Sequence, residues 1–176
     1  MRDEGAESIP KADAGFRELC REWRPRAAAY CRAFRGLSDQ DREEVADEAL
    51  TRAWAARDRF DPSRPFAPWF LTIVRRAALD TLARPGRRTS CEYVDDRPSP
   101  IPAAEEAAVR DSEADFVRRF VAALDPRDRE LASLVYGQGL GMTEAARIAG
   151  IPAGTAKWRL YEVRKRLRKV WEVEFG

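Results

Sequence analysis

From Ala153 to Glu172, the apolar residues Ala156, Leu160, Val163, Leu167 and Val170 recur at steps of four, three, four and three. That spacing follows one face of an α-helix and predicts a buried stripe on a long C-terminal helix. Lys157, Tyr161, Arg164 and Arg168 form a row on a different face. The same periodicity appears over Asp39–Arg59, where Ala46, Leu50, Ala53 and Trp54 lie opposite Asp41, Glu44 and Glu48. It appears again over Ala67–Ala83, with Phe70, Ile73, Val74 and Ala77 as the apolar side and Pro68 in the first turn, where proline is tolerated. Phe16–Phe34 is helix-rich, although Pro25 leaves its continuity open.

Shorter helices are predicted over Asp115–Ala123, from the Asp125-Pro126 cap to about Tyr136, and over Thr143–Ala149. Gly137, Gly139 and Gly141 break the second of these, and Gly150-Ile151-Pro152 makes a tight turn before the last helix. No stretch alternates apolar and polar residues for long, and β-branched residues are few, so an all-α fold is expected. Pro85, Gly86, Pro98, Pro100 and Pro102 mark a linker without helical periodicity. The expected organisation is a tail over 1–12, a helical domain over 13–85, a flexible acidic, Pro-rich linker over 86–112 and a four-helix unit over 113–176.

Composition narrows the chemistry. The 176 residues contain no histidine, which removes the commonest general base, the commonest metal ligand and every Ser-His or Cys-His nucleophile pair. Cys20, Cys31 and Cys91 form no C-x-x-C pair, so neither a zinc site nor a disulfide framework is expected. Neither a phosphate-cradling glycine loop nor a convergent carboxylate pair appears, so no cofactor, metal, small-molecule substrate or catalysis is expected. The first fifteen residues are polar and no apolar run is long enough to span a bilayer. A cytoplasmic protein without membrane insertion is the expectation.

Net charge is +2, which taken alone argues against a nucleic-acid partner. Resolved by segment, the charge is −5 over Asp39–Glu48, +4 over Arg75–Arg88, −6 over Glu92–Asp115 and +6 over Thr155–Trp171. Two basic blocks separated by acidic ones suit a protein that meets a polyanion at two places and a basic partner elsewhere. A short helix, a glycine turn and a long basic helix make the helix-turn-helix pattern, whose second helix enters the major groove. Lys157, Trp158 and Tyr161 would then face base edges, and Arg164, Lys165 and Arg168 phosphates. In the N-terminal half, Phe60, Phe66, Trp69 and Phe70 surround a Pro-rich turn beside Arg75 and Arg76. Aromatic residues next to arginines suit unstacked single-stranded bases, but the same residues at helical spacing also suit a core.

Two stretches resemble the extracytoplasmic-function group of bacterial sigma factors. Asp41-Arg-Glu-Glu-Val-Ala-Asp-Glu-Ala-Leu-Thr-Arg-Ala-Trp54, continuing through Arg59-Phe60-Asp61-Pro62 and Pro65 to Arg75, resembles the family's region 2. Leu124-Asp-Pro-Arg-Asp-Arg-Glu130, Gly139-Leu140, Ile151–Leu160 and Arg164–Leu167 resemble region 4. The resemblance implies a factor that binds core RNA polymerase and directs promoter-specific initiation, commonly under the control of an anti-sigma factor. It implies that Asp41, Glu44, Asp47 and Glu48 dock on the polymerase β′ clamp helices, with the β flap as a further contact. Asp61, Ser63, Arg64, Phe66, Thr72, Arg75 and Arg76 would melt and read the −10 element. Thr155, Lys157, Trp158, Arg159, Tyr161, Glu162, Arg164 and Arg168 would read the −35 element.

The chain departs from the family pattern at Asp47 (usually Gln), Arg76 (often Asn), Trp158 (usually small and polar) and Glu162 (commonly Arg). Val135 lacks the basic character common before the helix-turn-helix. A stand-alone helix-turn-helix regulator would have no need of the region-2-like half. A decoy that sequesters an anti-sigma factor would usually carry a receiver domain.

Overall fold

The computed structural model describes residues 13–84 and 113–176, and all their regular structure is helical. Helix α1 spans Asp13–Cys31, α2 Asp39–Ala56, α3 Phe66–Leu82, α4 Glu113–Ala123, α5 Pro126–Ala132, α6 Met142–Ala149 and α7 Ala153–Phe175. A single 3-10 turn, Arg57–Arg59, follows α2, and a π-turn, Ser133–Gly137, extends α5. The expected linker and Cys91 lie outside the described residues.

Local chemistry sets the helix ends. Ser38 begins α2 through a reciprocal capping box: its hydroxyl accepts from the Asp41 backbone N–H at 3.2 Å, and the Asp41 carboxylate accepts from the Ser38 N–H at 2.9 Å. Asp125 caps α5 by accepting from the N–H groups of Arg127 and Asp128 at 2.9 and 3.0 Å, with Pro126 at the first helical position. Gly150 closes α6 at φ 72°, a left-handed conformation that costs a residue without Cβ little. The Ile151 N–H then donates back to the Ala146 carbonyl at 3.0 Å, which turns the chain into α7. Helix α1 runs through Pro25, which lies on its exposed side.

Helices α1, α2 and α3 pack around Phe16, Trp23, Tyr30, Phe34, Phe66 and Phe70, all buried. Helix α2 contributes small residues to this core, Val45, Ala46, Ala49 and Ala53, which let the neighbouring helices approach closely. The predicted apolar side of α3 is the observed one, with Phe70, Val74 and Ala77 buried and Ile73 half-buried. On α7, Ala156, Leu160 and Val163 are buried while Leu167 and Val170 are half-buried, so the stripe loosens toward the C-terminus.

The two halves touch. Helix α3 packs on α6 and α1 on the π-turn, and buried apolar residues from both halves belong to one hydrophobic cluster. At the seam, the fully buried Glu130 of α5 accepts from the Tyr30 hydroxyl at 2.9 Å and from Arg75 Nε at 2.6 Å. Buried Arg129 donates to the carbonyls of Ala33, Val121 and Leu124. Arg35 donates to the Ala122 carbonyl and Gln138 to that of Arg26. No described helix is long and apolar enough to cross a membrane.

Candidate functional site

Three surfaces hold the residues singled out from the sequence. The first is the acidic face of α2. Asp41 is engaged in the Ser38 cap. Asp47 receives Arg24 of α1 in a two-pronged ion pair at 2.6 and 2.9 Å, and the same guanidinium reaches Glu43 at 2.7 Å. The Arg24 guanidinium holds the Asp47 carboxyl below the ordinary carboxylate range, although partial burial opposes it. Glu48 accepts from Arg52 at 2.8 Å, and Arg52 also reaches Asp80 of α3 at 2.6 Å. Exposed Glu44 accepts from the neutral amide of Gln40 at 2.9 Å. Arg24 therefore compensates much of the acidic block. It lies 23 residues from Asp47 in the chain, and no local pattern marks the pairing.

The second surface is the turn after α2 together with the exposed side of α3. Asp61 accepts from the Ser63 hydroxyl at 2.6 Å and from its N–H at 3.0 Å, and Arg64 sits 3.3 Å from the same carboxylate. The Ser63 hydrogen bonds keep the Asp61 carboxyl low in pKa. This Asx-turn leaves all of 61–65 exposed. Phe66 points the other way: it is buried, stacks on Phe70 at 5.2 Å and 11°, and meets Trp23 edge-on at 5.6 Å. Half-buried Phe60 and Trp69 lean on each other at 4.9 Å. Thr72 donates to the Pro68 carbonyl at 2.7 Å. Arg75 is turned into the Glu130 seam, whereas its neighbour Arg76 is exposed. Of the seven residues assigned to the −10 element, Asp61, Ser63, Arg64 and Arg76 are thus exposed, Thr72 is half-buried, and Phe66 and Arg75 lie inside packing.

The third surface is α7. Thr155, Lys157, Trp158, Tyr161, Arg164 and Arg168 are exposed, and Glu162 is half-buried. Arg159 belongs to the interior: its Nη1 is 2.9 Å from Asp128 Oδ1 and 3.2 Å from Asp125 Oδ2, and its side chain is 15% exposed. Burial and the adjacent Asp125 carboxylate push Asp128 up to about 6, against the pull of Arg159. Asp125 goes the other way: burial opposes it, but hydrogen bonds from Asp128 and the nearby Arg159 hold its carboxyl down. From sequence, Asp125 read only as a cap. Its tie to Arg159 joins residues 34 apart and has no local signature.

The model of the family described as sigma-70 region 2 matches residues 19–88. The extracytoplasmic-function RNA polymerase sigma factor RpoE of Cereibacter sphaeroides is 28% identical over 158 residues, covering 89% of this chain and 86% of its own. The chain is thus similar to extracytoplasmic-function sigma factors over most of its length, and to sigma-70 region 2 in its N-terminal half. SigW of Bacillus subtilis, an ECF RNA polymerase sigma factor, is 27% identical over 141 residues, or 72% of this chain and 73% of that one. The fold is that of the sigma factor RpoE solved in complex with the anti-sigma factor NepR from Bartonella quintana. The TM-score is 0.64 at 24% identity, over 90% of this chain and 97% of that one. The residues matched to sigma-70 region 2 comprise most of α1 together with α2 and α3, so they carry the acidic face and the exposed turn.

Proposed function

We propose that this chain binds core RNA polymerase through the acidic face of α2 and directs it to promoters. The 57–65 turn and the exposed side of α3 meet the −10 element, and α7 meets the −35 element. Region 2 is assigned to 13–85 and region 4 to 113–176, with a tail over 1–12 and a linker over 86–112 between the two. The chemistry of RNA synthesis belongs to polymerase, and this chain supplies addresses on cytoplasmic DNA.

One observation carries the reading. Behind the Gly150 turn, α7 exposes Lys157, Arg164, Lys165 and Arg168 beside Trp158 and Tyr161, while its apolar stripe is buried against α5 and α6. A basic, solvent-facing helix on a rigid platform suits a duplex: lysines and arginines take phosphates, and the N-terminal side chains reach base edges. The assignment of Arg75 to the −10 element carries a consequence. Glu130 holds that side chain in the closed arrangement, so reading DNA with it requires α3 to part from α5. An anti-sigma factor that keeps the halves closed would withhold Arg75 from DNA.

Co-elution of the full chain with purified core polymerase tests the reading, followed by initiation on a library of genomic fragments. Binding and selective initiation are expected. Failure to bind core would sink the proposal, and binding without initiation would make the protein a competitor for core rather than a promoter reader.

A further inference from the structure

Trp158 is 62% exposed and Tyr161 55% exposed, on the first turns of a helix whose other side is well packed. Leaving two large aromatic residues in water forgoes the transfer energy that burying them would supply. They lie at i and i+3, so their Cβ atoms are about 5–6 Å apart on one face. Exposed Lys157 and Arg164 flank them, which favours a polyanion as the occupant of this ridge over an apolar peptide.

The chemistry available at this ridge is unusual for a groove-reading helix. The commonest base-specific contact is an arginine or lysine on the O6 and N7 of guanine, and only arginine presents a planar fork there. The arginine in the first two turns of α7 is Arg159, and it is turned inward to Asp125 and Asp128. The exposed side chains there that can meet a base edge are the Lys157 amine, the Thr155 and Tyr161 hydroxyls, and the two aromatic faces. In the major groove, an apolar face has one specific counterpart, the C5-methyl group of thymine. Successive bases on a strand rise about 3.4 Å, so two side chains about 5–6 Å apart span neighbouring steps.

We infer that Trp158 and Tyr161 are specificity-determining residues that read the methyl groups of neighbouring thymines. The upstream element would then be selected by T·A pairs through apolar contact instead of by guanine through arginine. The inference rests on the reading of α7 as the −35 helix and adds which base feature that helix selects.

The test uses holoenzyme assembled from core polymerase and the full chain. Duplexes with a randomised upstream region are selected for binding, and the winners are then resynthesised with deoxyuridine replacing one thymidine at a time. Enrichment of adjacent thymines is expected, with about a fourfold loss of affinity at each contacted position when its methyl is removed. Trp158→Ala and Tyr161→Ala should bring thymidine and deoxyuridine to parity at their own positions. Trp158→Phe should keep the discrimination, and melting curves should confirm that each variant is folded. Upstream-dependent binding that is equal for the two bases would overturn the inference and leave the −35 assignment standing. Binding indifferent to the upstream duplex would remove the assignment as well. Discrimination unchanged in the alanine variants would overturn the inference.

Discussion

Helices α3 and α7 start from similar material and use it in opposite ways. Each opens behind a proline-containing turn and carries aromatic residues early and arginines later. In α3, Phe66 and Phe70 are swallowed by the α1–α2 core and Arg75 is drawn into the Glu130 seam. In α7, Trp158 and Tyr161 stay in water, and the arginine turned inward is half-buried Arg159. The difference follows from register. Phe66 and Phe70 are four apart, in line with Val74 and Ala77, so they fall on the stripe that packs. Trp158 and Tyr161 lie off the Ala156–Leu160–Val163 stripe, so no helix covers them. An aromatic residue beside arginines is thus informative about nucleic acid only once the buried stripe of its helix is known.

The sharpest way to break this comparison lies within α3. Arg75→Ala removes the Nε–H and the charge that face the buried Glu130 carboxylate and is expected to cost about 3–5 kcal/mol in chemical denaturation. Arg76→Ala, one residue along and exposed, should stay within about 0.5 kcal/mol. Equal effects would mean that the Glu130 seam is not a feature of the protein in solution. The aromatic residues make a parallel pair. Phe66→Ala should cost about 3–5 kcal/mol, and Trp158→Ala should leave the melting temperature nearly unchanged.

Electrostatic substitutions should have smaller effects. Glu44, whose partner is the neutral Gln40, is the cleanest acidic residue on α2 to invert. Glu44→Lys is expected to weaken core polymerase binding roughly tenfold in a fluorescence titration, with the fold intact. Unchanged affinity would contradict the role given to that face. Asp47 is a poorer probe, because its change would also release Arg24.

The smallest expected effect is a pH dependence beneath α7. The folded Asp128 carboxyl titrates near 6, above its ordinary value of 3.8, because of burial and the adjacent Asp125. The folded state therefore holds that proton more tightly than the unfolded chain. The stability this group contributes is present below pH 4 and is lost as pH rises through 6. Asp128→Asn removes the titration, so its melting temperature should gain on the wild type by about 2–4 °C between pH 4.5 and pH 7.5. A difference that stays flat across that window would mean that Asp128 keeps an ordinary carboxyl.

What was legible in the sequence follows from the range of the interactions. The seven helices were legible because caps, prolines and apolar spacing act within a few residues: Asp125-Pro126 and Gly150 each mark an end that the structure keeps. The continuity of α1 through Pro25 depended on which side faces solvent, and that is a tertiary fact. The exposed row on α7 was legible for the same local reason. The roles of Glu130, Arg24 and Arg159 were not, since their partners lie 55 and 100, 23, and 31 and 34 residues away. Charge blocks could show that acids and bases were segregated, but not that Arg24 reaches across to quench two of the acids. Phe66 was open to either reading until the ring stack on Phe70 placed it.

Transcription from a defined template tests the central claim most directly. Core polymerase alone, and core with the full chain, would be offered a selected promoter and the same promoter with its upstream element scrambled. Transcripts are expected only with the chain present, and at least tenfold fewer from the scrambled template. Equal transcription with and without the chain would contradict the claim that it directs polymerase. Equal transcription from both templates would contradict the claim that α7 reads the promoter.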